Sequence, residues 1–119
     1  MQQTDSFPAL TQLNPDEALF RDSVFEFADK EIRPLVREMD DHAKIPPRLI
    51  EGLFGLGAMG IEIGDAYGGA GATFFHSVLA VEALSRVDPS IGVLVDVQNT
   101  LVVNALNRWA SDAQKAAYL

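Results

Sequence analysis

Helix-start signals recur along this chain, and they constrain its fold more than any other feature. Asn14-Pro15-Asp16-Glu17 combines a capping side chain, a proline at the first helical position and two acids at the positive end of the helix dipole. Further helix starts are predicted at Thr73, at Asp88-Pro89 and at Ser111, where a capping-box pattern begins. The sequence therefore predicts an all-α fold, an up-and-down bundle of about five helices that follows an irregular lead-in over residues 1–13.

Apolar residues at helical spacing place the first helix after Asn14, and two charged pairs at i,i+4 predict its solvated face. Those pairs are Glu26 with Lys30 and Asp29 with Arg33. Pro34 should kink or interrupt this helix, because proline lacks the N–H that a helix interior requires. The stretch 40–46 is expected to be a loop.

Four further helices complete the predicted bundle. The second should run from Pro47 to Leu56 and stop before Gly57. The third should follow Thr73 to about Val87, and the fourth should follow Asp88 to about residue 110. The fifth begins after Ser111. Residues 58–63 are brief and apolar and could be extended or a turn, and the glycine-dense stretch 64–71 predicts a flexible loop. Met39 and Met59 are expected to fill the core.

Charge and composition exclude several classes of function. The chain of 119 residues is long enough for one domain with a core, and it carries a net charge of -8. Nucleic-acid binding needs a basic face, so that class is not expected. The chain has no cysteine and two histidines, so neither a disulfide framework nor a metal site is predicted. No apolar run approaches the ~20 residues of a membrane span.

The fourth helix is the segment most informative about function. It is apolar around most of its circumference, which is typical of a buried helix. A narrow polar strip nevertheless follows it, comprising Asp96, Asn99, Thr100, Asn104 and Asn107. Buried polar groups need partners. Two interpretations remain open: a structural hydrogen-bond network between helices, or the lining of a ligand pocket.

The glycine loop does not match the common phosphate-binding motifs. It lacks the Gly-Lys-Ser/Thr ending of a P-loop and the strand-turn-helix setting of a dinucleotide fold. A tight connection in which glycines allow positive φ is the simpler interpretation. If the loop contacts a ligand, Tyr67 beside Gly68 is the part expected to do so. His76 is interpreted as a partly exposed histidine rather than a catalytic base.

A series of short motifs resembles one known family when read in order. These are Phe27-Ala28 with Ile32-Arg33-Pro34, Met39-Asp40, Gly57-Ala58-Met59-Gly60-Ile61, Tyr67-Gly68-Gly69-Ala70-Gly71, Glu82-Ala83-Leu84-Ser85-Arg86-Val87-Asp88 and Gln114-Lys115-Ala116-Ala117-Tyr118-Leu119. Over about residues 14–119 the chain resembles the N-terminal helical domain of the acyl-CoA dehydrogenases. Residues 10–12 and 97–101 are most similar to the short/branched-chain members.

This resemblance implies a flavoenzyme that removes two hydrogens across Cα–Cβ of an acyl-CoA, with FAD as cofactor and electron-transferring flavoprotein as electron acceptor. The family's carboxylate base lies in a C-terminal helical domain, and most FAD contacts come from a middle β-domain and that C-terminal domain. Both domains are expected to be absent here. No catalytic residue is therefore expected in this chain. The resemblance further implies a homo-tetramer, in the mitochondrial matrix of a eukaryote or the cytoplasm of a bacterium.

The same resemblance implies that this domain forms part of the acyl-pocket wall. The expected substrate-binding residues are Tyr67, Gly68, Gly92, Val93, Leu94, Asp96 and Asn99. Asp96 stands where medium-chain members carry a glutamate at the pocket base. The resemblance also places an insertion at 97–100 relative to those members. A short or 2-methyl-branched acyl group is the expected substrate.

Two other functions remain open from the sequence. The chain could belong to an acyl-CoA oxidase or a flavin monooxygenase of the same superfamily, which the family's C-terminal base region would discriminate. It could also be a non-catalytic helical interaction domain. That alternative predicts a monodisperse monomer or dimer without affinity for acyl-CoA. If the chain is instead part of the larger enzyme, its apolar fourth helix and glycine loop should leave an exposed patch on the isolated chain, and hence self-association through exchange of the terminal helix.

Overall fold

The computed structural model describes residues 8–119, and all regular structure in that range is helical. The α-helices are α1 Pro15–Phe27, α2 Val36–His42, α3 Pro47–Gly55, α4 Phe74–Ser85, α5 Pro89–Asp96, α6 Asn104–Trp109 and α7 Asp112–Tyr118. Non-α turns join α1 to α2 and α5 to α6 without leaving the helical path, so these seven elements form five helical segments. The predicted all-α fold is confirmed.

Side-chain caps fix where the helices begin. The Asn14 side chain accepts a hydrogen bond from the Glu17 N–H at 2.8 Å, and the Glu17 carboxylate accepts one from the Asn14 N–H at 2.9 Å. Ser111 makes the same reciprocal arrangement at the start of α7. At α4, Thr73 caps the helix and the His76 Nδ1 takes the reciprocal position, 2.8 Å from the Thr73 hydroxyl. Asp88 caps α5 through the Ser90 N–H. The predicted starts are confirmed.

The first helical segment changes its winding around Pro34. A π-helical stretch, Ala28–Ile32, is followed by a 3-10 turn, Arg33–Leu35, before regular α-helix resumes. The expected interruption at Pro34 is confirmed. The loop expected from residue 40 is wrong at its start, because α2 continues to His42 and ends only where Ala43 adopts a left-handed φ of 48°.

The predicted charged pairs lie on the solvated face of this segment. Lys30 pairs with Glu26, and Arg33 pairs with Asp29, each at 2.5 Å. The hydrogen bond from Lys30 to Glu26 raises the pKa of the Lys30 ammonium above its ordinary value. Both pairs are mostly exposed to solvent, so they contribute little to stability.

The core forms where α4 packs between α1 and α5. Four helices supply fully buried side chains to it: Val24 from α1, Leu53 from α3, Leu84 from α4 and Ile91 from α5. Met39 and Met59 are buried in the same cluster, as predicted. Arg86 lies over the Phe25 ring, 4.2 Å from its centroid, which adds a cation–π contact between α1 and the end of α4.

The molecule is flat rather than round. Its principal extents are 61 × 38 × 18 Å, and its Cα radius of gyration is 16.0 Å, against about 13.5 Å for a compact domain of this length. Its accessible area is 8011 Å², whereas a folded monomer of this mass exposes about 6300 Å². None of the helices described could span a bilayer, since none is both long and apolar enough.

Candidate functional site

A groove between α4 and α5 gathers apolar side chains around one carboxylate. It has a volume of about 170 Å³ and is lined by Phe74, Ser77, Val78, Val81, Asp96 and Thr100. The four residues from α4 follow the spacing i, i+3, i+4 and i+7, so they share one helical face. We call this cavity the α4–α5 groove.

Two hydrogen-bonded contacts hold the polar floor of the α4–α5 groove. The Thr100 hydroxyl donates to Asp96, with the carbonyl oxygen at 2.8 Å and Oδ1 at 3.0 Å. The buried Ser77 hydroxyl donates to the Glu62 carboxylate at 3.2 Å. The groove therefore offers apolar walls and a fixed carboxylate, which suits an apolar group bound over a polar base. No nucleophile–base pair is assembled among its lining residues.

Gly92 lies where α5 packs directly against α4. A Cβ atom at this position would collide with the Ser85 Oγ, and it would lie 3.3 Å from the Ser85 Cβ and 3.4 Å from the Val81 carbonyl oxygen. The absence of a side chain at Gly92 therefore sets the distance between the two helices. It acts on the α4–α5 groove by bringing its walls together.

Asn99 is buried, and its amide makes three hydrogen bonds with the main chain. The side-chain oxygen accepts from the Ile61 N–H at 3.0 Å. The side-chain nitrogen donates to the carbonyl oxygens of Ala58, at 2.8 Å, and Val95, at 2.9 Å. The hydrogen-bonding capacity of this amide is thus used inside the fold, which supports the structural interpretation of the polar strip at this position.

The glycine loop, residues 64–71, is tightly folded. A 3-10 turn, Asp65–Tyr67, precedes Gly68, whose φ of 80° favours glycine. A Cβ at Gly69 would collide with the main chain of Ile63. Main-chain hydrogen bonds from Ala70 and Gly71 tie the loop back to residues 60–63. Tyr67 remains 40% exposed at its edge.

A sequence profile described as "Acyl-CoA dehydrogenase, N-terminal domain" matches residues 14–119. The chain belongs to the acyl-CoA dehydrogenase family. The predicted resemblance is therefore confirmed, and the helical fold is that of the family's N-terminal domain.

Similar proteins carry related names. The chain is 46% identical over 110 residues to a probable short/branched chain specific acyl-CoA dehydrogenase of Dictyostelium discoideum, covering 92% of this chain and 27% of that protein. It is 40% identical over 119 residues to the mitochondrial short/branched chain specific enzyme of Bos taurus, covering 98% and 28%. The chain thus spans little more than a quarter of the length of these curated relatives.

Two solved structures share the fold of this chain. Butyryl-CoA dehydrogenase from Megasphaera elsdenii superposes with a TM-score of 0.83 at 27% identity, over 91% of this chain and 29% of that one. A chain in a structure described as the electron transferring flavoprotein of Acidaminococcus fermentans superposes with a TM-score of 0.85 at 31% identity, over 91% and 28%.

The structure separates the residues that the family resemblance had grouped. Asp96 lies in the α4–α5 groove, and Gly92 lies at the helix contact beside it. Val93 is 59% exposed, and Leu94 is half-buried against the core. Consecutive residues of a helix point about 100° apart, so residues 92–94 cannot all face one pocket.

The other three members of the predicted set lie away from the α4–α5 groove. Asn99 faces the turn at 58–61. Gly68 lines a separate cavity of about 110 Å³ with other glycine-loop residues and Leu119. Tyr67 is not among the residues that line either cavity. Of the seven predicted residues, Asp96 alone lines the α4–α5 groove, and the assignment of the set to substrate binding stays a prediction.

The sequence analysis missed the α4 wall of this acyl-CoA dehydrogenase domain. Phe74 is 57% exposed and Val78 is 43% exposed, although both are large and apolar. Their i, i+4 spacing on one face, with Val81 a further three residues along, was the signal that could have revealed this wall.

Within residues 8–119 no three metal-ligating side chains lie close enough together to hold an ion.

Proposed function

We propose that this chain is the acyl-binding, N-terminal part of an FAD-dependent acyl-CoA dehydrogenase that oxidises a short or branched-chain acyl-CoA to the 2-enoyl-CoA. The observation that carries the proposal is Asp96, a carboxylate at the base of an apolar groove in a domain of this family. The names of the similar Dictyostelium and Bos taurus proteins support the same substrate class.

In this proposal the acyl chain lies in the α4–α5 groove. Phe74, Val78 and Val81 pack on its methylene groups, while Asp96 and Thr100 close the polar end. The volume of about 170 Å³ holds only about six groups the size of a water molecule. A groove of this size suits a short or 2-methyl-branched acyl group.

The glycine loop does not by itself offer a cavity that could hold a flavin. The cavity beside the glycine loop measures about 110 Å³, which is about four water molecules in volume and far less than a flavin ring system needs. FAD is therefore proposed as the cofactor of the complete enzyme, where it would supply the oxidising power. The residues of this chain bind and orient the acyl group and exclude water from it.

The family also supports proposals for partners and compartment. Electron-transferring flavoprotein is the proposed electron acceptor, and a homo-tetramer is the proposed assembly. The Bos taurus and Rattus norvegicus relatives are described as mitochondrial. We propose the mitochondrial matrix for this protein if its source is eukaryotic and the cytoplasm if it is bacterial.

The test uses the product of the complete gene, purified with its native flavin. Flavin reduction is followed after addition of butyryl-, 2-methylbutyryl-, octanoyl- or palmitoyl-CoA. The expected result is the highest kcat/KM with butyryl- or 2-methylbutyryl-CoA. A maximum with palmitoyl-CoA would contradict the proposed substrate class, and no reduction by any of the four would contradict the enzyme itself.

A matched pair of variants tests whether the α4–α5 groove holds the acyl group. Val78→Trp fills the groove and should lower kcat/KM for 2-methylbutyryl-CoA about tenfold or more. Val102→Trp is the control, because Val102 is 46% exposed, close to the 43% of Val78, but does not line the groove. Equal effects of the two substitutions would remove the groove from the proposal.

The alternative is a non-catalytic helical interaction domain. The same assays discriminate it, since that domain would neither carry flavin nor respond to acyl-CoA. An acyl-CoA oxidase would reduce its flavin with acyl-CoA and then return the electrons rapidly to oxygen. Slow reoxidation in air, with rapid transfer to electron-transferring flavoprotein, is the result expected of the dehydrogenase.

A further inference from the structure

The buried face of the helix from Pro89 to Trp109 repeats every fourth residue. Ile91, Val95, Asn99 and Val103 have exposed fractions of 0, 0, 1 and 1%. In a regular α-helix four residues turn the chain by about 400°, so such a stripe drifts by about 40° at each step. A continuous α-helix would therefore carry the later members of this stripe away from the core.

A π-helical segment, Val97–Val103, keeps the stripe straight. Its turns close over one more residue than α-helical turns do, so they oppose the drift. The segment lies where the family resemblance places an insertion, at 97–100. The π-helical winding directs Asn99 to the core, towards residues 58–61.

Residues 58–63 form a turn with little regular structure, and side chains of this helix hold it. Besides the contacts of Asn99 with Ala58 and Ile61, Gln98 donates to the Met59 carbonyl at 3.2 Å. Asn107 donates to the Glu62 carbonyl at 3.5 Å. The 58–63 turn is thus fixed by amide side chains from one neighbouring helix.

The 58–63 turn in turn holds the glycine loop. The main chain of Ile61 is the link. Its N–H donates a hydrogen bond to the Asn99 side chain, and its carbonyl accepts one from the Ala72 N–H at 2.8 Å. The carbonyls of residues 60 and 63 accept from Ala70, at 3.0 Å, and Gly71, at 2.8 Å. A displacement of Ile61 would therefore displace both limbs of the loop that carries Tyr67.

The turn also reaches the α4–α5 groove. The Glu62 carboxylate accepts a hydrogen bond from Ser77, which lines the groove opposite Asp96 and Thr100. Asn99 and Asp96 lie within one turn of the same helix. The buried Asn99 amide is therefore bonded to a turn that contacts both the glycine loop and the α4–α5 groove.

We propose that Asn99 is a positioning residue. The π-helical segment directs its side chain to the 58–63 turn, and its hydrogen bonds there fix the position of the glycine loop relative to the α4–α5 groove. The consequence for substrate binding rests on the proposed function. The consequence for the loop does not, because it follows from the hydrogen bonds alone.

Amide hydrogen exchange on the 119-residue chain tests the effect on the loop. Asn99→Leu has similar volume but no hydrogen-bonding group, and exchange at residues 60–72 should accelerate about tenfold or more. Asn99→Asp keeps an oxygen for the Ile61 N–H, so its effect on that amide should be smaller. Asn104→Leu is the control, since Asn104 has the same residue type on the same helix but is only half-buried.

Acceleration confined to the 58–63 turn and the glycine loop supports the proposal. Equal acceleration in α1 and α4, or the same acceleration in Asn104→Leu, would overturn it, because either result assigns Asn99 a general packing role. If Asn99→Leu fails to fold, Asn99→Asp decides the matter, because it loses the donations to Ala58 and Val95. Exchange at Ala70, Gly71 and Ala72 should then accelerate relative to α1 and α4, and no such difference would overturn the proposal.

Kinetics of the complete gene product test the effect on substrate. Asn99→Asp should change the ratio of kcat/KM for 2-methylbutyryl-CoA to that for butyryl-CoA by about threefold or more, which loss of folded protein alone cannot do. An unchanged ratio would overturn the substrate consequence. Should the wild-type protein not oxidise acyl-CoA at all, the proposed function fails while the exchange experiment still decides the role of Asn99 in the loop.

Discussion

At the scale of single residues, two glycines show where the glycine loop packs closely against neighbouring main chain. A side chain at Gly69 would overlap the main chain of Ile63, whereas nothing lies within 4 Å of a Cβ added at Gly64. Both residues belong to the glycine loop, so they differ in tertiary surroundings rather than in local sequence. This difference makes them a matched pair.

Gly69→Ala should destabilise the chain by about 1–3 kcal/mol, because the added methyl group can be accommodated only by moving the Ile63 backbone. Gly64→Ala should change the unfolding free energy by less than about 0.5 kcal/mol, since the methyl group meets open space. Urea unfolding followed by circular dichroism measures both values. Similar values for the two variants would show that the loop can separate from the 58–63 turn at little cost.

Helix packing at the scale of whole elements depends on how α5 meets α4. The sequence analysis assigned Gly92 to the acyl pocket, and that assignment stays a prediction. The structure places Gly92 against Ser85, where it brings the two walls of the α4–α5 groove together. A packing role and a lining role predict different results for the same substitution.

Gly92→Ala should destabilise the chain by about 1–3 kcal/mol through the contact with Ser85. The double variant Gly92→Ala with Ser85→Ala removes the colliding hydroxyl, so its cost should be less than the sum of the two single costs. Thermal unfolding of the four proteins gives this coupling energy. Additive costs would show that the new methyl group meets something other than Ser85.

The flat shape of the whole molecule leaves large apolar side chains exposed. Val97, Leu101 and Trp109 project from the helix between Pro89 and Trp109 with exposed fractions of 40, 62 and 78%. The total accessible area of 8011 Å² exceeds by about 1700 Å² the value for a typical monomer of this mass. A stable dimer interface buries about 800 Å² on each partner, and the exposed apolar side chains of this helix are the surface that such an interface would cover.

The 119-residue chain should therefore self-associate in solution. Light scattering coupled to size exclusion should give a mass above 12.9 kDa that falls on dilution. Leu101→Lys should shift the chain towards monomer, whereas Leu19→Lys should not, although Leu19 is similarly exposed at 68% on α1. Trp109 is the single tryptophan of the chain, so a blue shift of its fluorescence with concentration would report burial directly. A clean monomer at high concentration would contradict this prediction.

Local chemistry by itself determined where the helices begin. Asn14, Thr73, Asp88 and Ser111 cap the helices that they were predicted to cap, because a cap bonds only to residues two or three positions along. The interruption at Pro34 followed from the missing N–H for the same reason. The order of short motifs was enough to identify the family.

Only the tertiary structure decided what the polar and glycine residues do. Nothing in the sequence around Asn99 shows that its amide bonds Ile61, which lies 38 positions away. Gly92 and Gly69 could equally have faced solvent, and the wall formed by Phe74 and Val78 became recognisable only when α5 lay beside it. The physical reason is that caps and breaks are set by neighbours in the chain, whereas burial, close approach and pocket walls are set by residues brought together by packing.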